Sequence, residues 1–322
     1  MKKVILCSFL TVFLLSGCNN ENEIDQPTIE SSVRPLITST LLVDYEIPPN
    51  DIYYLQKLGF SGSIAKIFEK YNSSTNEKYI SYLLEGDIEI RASMITDYLP
   101  EEIIDKNGGL TSQYRTTLIA DPDIYTVFYE PDGSLTSQAV DMAIENYNNL
   151  NLGISFERIG TGNTYIERRR RQIGWYYLFS DIAIESIDFR NGGGGSSGYP
   201  SRQQISNRQY QNMPHQNIII DPDTESSGLN VLEHVITHEM GHSIGLRHTD
   251  YFNRQLSGCP QFDSNGNPIP PNEGQGSYGA VHIPGTPAMN NIDLNSIMQA
   301  CYGTNETGEF TNYDIIALQE LW

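Results

Sequence analysis

His238-Glu239-Met240-Gly241-His242-Ser243-Ile244-Gly245-Leu246-Arg247-His248 is the stretch that decides how this 322-residue chain is read. It sets three histidines, one glutamate and one glycine at the offsets H-E-x-x-H-x-x-G-x-x-H. His238 and His242 stand one helical turn apart, so on a helix they project from one face toward one point. Gly245 can enter the left-handed backbone that stops a helix, which turns the chain and brings His248 to the same point. Three imidazole nitrogens leave one coordination position open, the arrangement of a catalytic zinc site and not of a closed structural one. Glu239, beside the first ligand, is placed to hold a metal-bound water and act as general base. Chance would produce the five fixed residues in on the order of one chain in 100,000 of this length. The segment is therefore read as a site for one zinc ion on His238, His242 and His248.

The flanks agree with a helix. Leu229, Val231, Leu232, Val235 and Ile236 precede the motif without an intervening proline, and Ser226 or Ser227 is the expected cap, so a helix is expected from about Val231 to Ile244. His234 lies one turn before His238 and reads as a flanking or core histidine, with a direct metal role as the alternative.

The same string resembles the metzincin peptidases and looks most like the bacterial HEIGH-type metallopeptidases of the M57 family. The resemblance implies an α+β fold: a metzincin-like zincin domain with a mixed sheet, helices and a zinc-binding active-site helix. It also implies a zinc metalloendopeptidase that hydrolyses protein or peptide substrates by Glu239-assisted attack of a zinc-bound water. Such families carry a methionine turn beneath the metal. Ser296-Ile297-Met298 resembles it, Met289 matches less well, and either methionine would pack instead of reacting. Some metzincins place an oxyanion-holding tyrosine where this chain has Ala300. Tyr302 is offset, so transition-state stabilisation beyond the metal is unassigned. Thr249 stands where astacins have glutamate, which argues against that branch.

Leu84-Glu85-Gly86-Asp87-Ile88 is similar to the astacin pro-region segment whose aspartate occupies the zinc before activation, which would make Asp87 a latency ligand. The alternative is a Gly-Asp turn leading into a strand. A rival function from another class is a lipid-anchored, zinc-containing binding protein without peptidase activity. Intact Glu239 speaks against it, because a structural site gains nothing from a positioned carboxylate.

Working outward, Asp51 to Tyr71 shows apolar residues at helical intervals broken by Gly59 and Gly62, which predicts two short helices. Tyr79 to Ile90 reads as a strand ending in Asp87-Ile88-Glu89-Ile90. Strands are expected at Ile124 to Glu130, Ile154 to Ile159, Ile182 to Phe189 and Asn217 to Ile220. A helix is expected from Ser137 to Asn149, capped by Ser137 or Thr136. Gly308 to Asp314 looks like the cap and start of a C-terminal helix. This order argues for a mixed sheet packed against helices. The expected division is 1–17 signal peptide, 18–40 flexible tether, 41–112 a small pro-region-like unit, and 113–322 the catalytic domain.

The first 17 residues have the layout of an export signal: Lys2 and Lys3, an apolar run from Val4 to Leu15, then Ser16 and Gly17. Leu15-Ser16-Gly17-Cys18 resembles a bacterial lipobox, which implies a lipid on Cys18 and an envelope location, either exposed on the outer-membrane surface or released. The alternative is an ordinary signal peptide. Removing Lys2 and Lys3 leaves 18 basic against 40 acidic residues, a formal charge of -22, which repels phosphate backbones and excludes nucleic acid as an expected partner. No later run approaches the roughly 20 apolar residues of a membrane helix, so the lipid is the only expected membrane contact, and a monomer is expected. Cys259 and Cys301 remain as a pair in an oxidising compartment, and a disulfide is the economical reading. Gly193, Gly195 and Gly198 satisfy G-x-G-x-x-G but lack a following helix, so they read as a flexible loop near the cleft. Arg168 to Arg171 reads as a solvated face or sheet edge, with a regulatory protease cut there as the alternative. Asp263 to Asn267 looks slightly like a calcium loop but better fits an Asn-Gly turn, which leaves a structural Ca2+ ion open and without support.

Overall fold

Strand pairing, more than helix packing, organises this chain. The computed structural model describes residues 37–57, 60, 66–72, 76–84, 86–96, 113–129, 133–159, 180–188, 193–206, 209–259, 280–287 and 292–322. The signal, the tether as far as residue 36, Arg168 to Arg171, Asp263 to Asn267 and Met289 lie outside the described residues, while residues 37–40, expected as the end of the tether, begin a strand.

In the N-terminal part, β1 (Ile37–Leu41), helix α1 (Pro49–Lys57), β2 (Lys66–Asn72), β3 (Glu77–Leu84) and β4 (Ile88–Arg91) build an antiparallel meander with the helix beside it. Two sequence expectations fail there. Lys66–Asn72 is a strand and not part of a second helix. Phe68, Lys70 and Asn72 are buried while Glu69 and Tyr71 are less so, the two-residue period of a sheet, and the helical spacing arose only because Ile67 is buried as well. Tyr79 to Ile90 is a hairpin and not one strand: Asp87 N–H donates to the Leu84 carbonyl at 3.2 Å, and Gly86 has φ 102°, which suits a type II turn.

The remainder supplies β5 (Tyr114–Arg115), β6 (Ile124–Phe128), α2 (Leu135–Asn148), β7 (Ser155–Ile159), β8 (Ile182–Ser186), β9 (Gly195–Gly198), β10 (Ser201–Ser206), β11 (Gln209–Met213), β12 (Asn217–Ile220), α3 (Leu229–Ile244), β13 (Leu246–Arg247), β14 (Val281–His282) and α4 (Asn312–Leu321). Nine strands form one mixed sheet in the order β1-β2-β3-β4-β9-β12-β8-β6-β7, the α+β architecture expected. β4 runs parallel to β9 over Ile88↔Ser197 and Glu89↔Gly198, and β9 runs antiparallel to β12. The glycine-rich run expected as a loop is thus partly a central strand. Its residues must be small: a Cβ on Gly195 would lie 2.6 Å from Glu239 Cγ, and one on Gly198 would strike the Glu89 carbonyl.

Helices α2 and α3 cover the sheet. Val140, Ala143, Ile144 and Tyr147 of α2 share a core with Leu232, Val235 and Ile236 of α3 and with Val127, Ile184 and Ile218 of the strands. Two expected caps shift. Ser134 caps α2, accepting from Ser137 N–H at 3.0 Å, because the helix begins earlier than its apolar face suggests. Gly228, at φ 93°, precedes α3 without a side-chain cap, since Ser226 and Ser227 are spent in the 3-10 turn Pro222–Ser227. The C-terminal helix starts as expected, with Thr311 and Asp314 forming a capping box. Among the described residues no helix is long and apolar enough to cross a membrane.

A polar knot sits at the β4–β9 seam. Lys70 is fully buried and paired with Glu89, whose other oxygen accepts from Ser81 Oγ at 2.6 Å. His215 packs against Gly198 nearby and donates its backbone N–H to the Ser243 carbonyl at 2.9 Å. Burial pushes the His215 imidazole down from 6.5 to about 4, opposed by Glu89 and aided by Lys70. A histidine held neutral in the fold but free to protonate when unfolded stabilises fully above pH 6.5, and that contribution is lost as pH falls toward 4. The full span amounts to about 3 kcal/mol. Urea unfolding at pH 7.5, 6 and 5 is expected to show a steeper loss of stability for the wild type than for His215→Gln. Equal pH slopes would rule out this burial effect.

Candidate metal centre

Helix α3 carries His238 and His242 on one face and ends at Gly245, whose φ of 117° is open to glycine but strained for other residues. The Gly245 N–H is satisfied by the carbonyls of Gly241 and His242, at 3.1 and 3.0 Å. A Cβ there would lie 3.0 Å from the Leu118 carbonyl oxygen, so sterics and dihedral both select glycine. The chain then reverses into β13, pinned antiparallel to β5 through Leu246↔Arg115 and Arg247↔Tyr114, and this delivers His248.

The three imidazoles meet at their Nε2 atoms, His242 to His248 at 3.1 Å and His248 to His238 at 3.3 Å. Each Nδ1 of the helical pair donates to a backbone carbonyl, His238 to Ile297 at 2.7 Å and His242 to Leu246 at 2.9 Å. Those bonds set the tautomer that leaves the Nε2 lone pairs facing one another. Lone pairs this close repel unless a cation lies between them. Two nitrogens bound tetrahedrally at ordinary Zn–N lengths would stand about 3.3–3.4 Å apart, so the donor set fits that ion. Burial, followed by the repulsion that a proton would meet from His242 and His248, holds His238 well below the usual imidazole range, as neutral ligands require.

A fourth group joins them. Asp87, from the turn ahead of β4, places Oδ2 3.2 Å from His248 Nε2, and the ligand atoms of Asp87, His238, His242 and His248 all lie within 4.8 Å of one another. All four residues are buried. Leu84 to Ile88 carries the expected Gly-Asp turn, and that turn aims the Asp87 carboxylate at the histidines.

Glu239 is 2% exposed and lies along Gly195 of β9. Met298 sits beneath the helix, its Sδ filling the space where a Gly241 side chain would be, while Met298 O accepts from Thr249 N–H at 2.8 Å. Asp314 of α4 accepts from Ile297 N–H at 2.9 Å and from Ser296 Oγ, which orients the very carbonyl that holds His238. Asp250 Oδ1 accepts from Ala300 N–H at 2.9 Å, and Cys259 and Cys301 form the expected disulfide beside it. Sequence reading missed Asp250 and took Asp314 for a cap alone. Its capping box was visible, but its reach to the methionine turn depends on tertiary packing. His234 is apart from the cluster, its Nδ1 3.0 Å from the Thr307 carbonyl and its ring 5.4 Å from that of Tyr302.

The family model for the dual-action HEIGH metallo-peptidases, peptidase family M57, matches residues 84–322. The chain belongs to that family. As an M57 member it is a zinc metallopeptidase, and its substrates are proteins or peptides. The matched span opens at Leu84, ahead of Asp87, so the turn and β4 fall within the extent of the family. Two solved structures are also similar to this M57 peptidase. The crystal structure of myroilysin has 16% identity, covers 68% of this chain and 92% of that chain, and has a TM-score of 0.33. A second structure of myroilysin has 16% identity, covers 62% and 79%, and has a TM-score of 0.33. No curated protein sequence matches.

Proposed function

We propose that the chain is a zinc endopeptidase in which His238, His242 and His248 hold the ion, Glu239 is the general base, and Asp87 keeps the uncut chain latent. The observation that carries this reading is the convergence of three Nε2 atoms and one buried carboxylate on a single point. When bound there, zinc acidifies water and polarises a peptide carbonyl. Glu239 takes the proton of the attacking water as the C–O bond forms, and returns it to the amine nitrogen as the C–N bond breaks. No covalent intermediate on the protein is needed. Asp87 blocks this by filling the position where water and substrate must enter.

Residues 41–112 are proposed as the removable unit and 113–322 as the catalytic domain. β4 meets β9 over two residue pairs only, few enough to be undone, and its departure would free an edge of β9 to which an extended peptide could add. Residues 1–17 would be the export signal, the stretch from Cys18 to the start of β1 the tether, and a lipid on Cys18 the attachment to the cell envelope. The rival reading, a lipid-anchored zinc protein that only binds, is opposed by Glu239 standing intact beside the cluster.

Metal analysis with peptide-library cleavage tests the proposal, on full-length protein and on protein cut ahead of Gln113. One zinc per chain and cleavage lost to a chelator and restored by zinc would support it. Zinc without cleavage in either form would favour the binding protein. A separate expectation concerns Gly195→Ala. The new methyl displaces the Glu239 side chain and crowds Val235 Cγ1 at 2.8 Å, so kcat is expected to fall at least about tenfold, with about 1–3 kcal/mol of stability lost and zinc retained. Unchanged kcat would mean that Glu239 tolerates a shifted position.

A further inference from the structure

Arg247 is 1% exposed, an unusual burial for a guanidinium. It sits in the motif between a core leucine and the last histidine, and three aromatic rings surround it. Its Cζ lies 5.1 Å from the ring centre of Phe60, 5.8 Å from Tyr199 and 5.8 Å from Tyr251, all within cation–π range. Tyr199 and Tyr251 belong to the same part of the chain as the metal site, whereas Phe60 comes from the N-terminal part, its N–H bonded to the Leu55 carbonyl at 2.9 Å. Phe60 stacks on Tyr199 with ring centres 6.5 Å apart and 24° between planes. Tyr199 in turn meets the His242 ring edge-on at 5.8 Å. One aromatic ring thus separates Phe60 from a candidate metal ligand.

We infer that Arg247, Tyr199 and Tyr251 form a side-chain pocket of the active enzyme, and that the pocket selects an aromatic residue of the substrate next to the scissile bond. The inference rests on the proposed release of the N-terminal unit, which withdraws Phe60. Phe60 occupies in the closed chain the place that a substrate phenylalanine or tyrosine takes in the open one. An aromatic face fits this wall better than an aliphatic side chain of equal size, because only the aromatic ring presents negative potential to the guanidinium. A carboxylate would have to be desolvated beside the two remaining rings to reach the same cation, so an acidic residue fits less well. Arg247 is a specificity-determining residue in this account and takes no part in bond making.

The closing experiment has a binding arm that needs no catalysis. Full-length Phe60→Ala protein, loaded with zinc, is titrated with N-acetyl-phenylalaninamide, N-acetyl-cyclohexylalaninamide and N-acetyl-glutamic acid amide. The aromatic probe is expected to bind roughly five- to thirtyfold more tightly than its saturated isostere, and the difference to vanish when Arg247→Met is added. Equal binding of the two isosteres, or tighter binding of the acidic probe, would overturn the inference. If the double variant does not fold, the isostere ratio in Phe60→Ala still decides. In the cleavage arm, sites cut in a peptide mixture by the protein cut ahead of Gln113 should carry an aromatic residue at one fixed position. A profile without that preference overturns the pocket. A chain that cuts nothing tells against the peptidase reading, and the pocket is then decided by binding alone.

Discussion

Glu239→Gln is expected to lower kcat/KM for peptide cleavage by about 10²–10⁴-fold while one zinc ion stays bound per chain. The substitution keeps the shape that lies along Gly195 and removes only the capacity to accept a proton. The ligand set is untouched, because Glu239 is absent from the four-residue cluster. Affinity for substrate should change little, so the loss is expected in kcat and not in KM. Steady-state kinetics with metal analysis on the same preparation checks this. Loss of zinc together with activity would make Glu239 a structural residue, and retained activity would move the general base elsewhere. The outcome also separates peptidase from binding protein, since a zinc site kept for structure gives the same surface properties with either residue.

How much of this was legible before the fold was known depends on how local the cause is. The helix that carries His238 and His242, Gly245 as its stop and the return of His248 to the same point follow from spacing and backbone freedom within eleven residues, and the structure places these residues there. Asn217–Ile220 was also readable to the residue, because a run of β-branched side chains closed by Asp221 and Pro222 leaves little choice. Lys66–Asn72 was misread because burial on both sides at Ile67 and Phe68 imitates a helical stripe, and only pairing with β1 and β3 resolves it. Gly195–Gly198 was misread for the opposite reason. Four small residues carry no periodic signal, and what makes them a strand is the lack of room beside Glu239 and Glu89. The aromatic setting of Arg247 draws on Phe60, Tyr199 and Tyr251, residues far apart in the chain, so no local pattern could announce it.

Asp87→Ala is expected to raise the peptidase activity of the uncut chain roughly ten- to a hundredfold, taking the contact as a charge-assisted one of about 1.5–3 kcal/mol. The Asp87 carboxylate is the one group of the cluster that comes from ahead of Gln113, so its removal opens a position without disturbing the three histidines. Burial on its own would push its carboxyl up, but the neighbouring His248, then Arg254 and His242, outweigh this and hold it below the usual carboxylate range. Two consequences should appear together. Activity on short peptides rises, and zinc is withdrawn faster by a chelator, because a fourth ligand is gone. The gain should be smaller for folded protein substrates, since β4 still pairs with β9 and covers that edge. Cutting ahead of Gln113 should then add little to the variant for short peptides but much for proteins. If Asp87→Ala leaves the activity of the uncut chain and its zinc release unchanged, the carboxylate is only part of a turn, and any latency lies in β4 covering the β9 edge. If the variant is more active but loses zinc no faster, Asp87 acts by filling space and not by binding the ion.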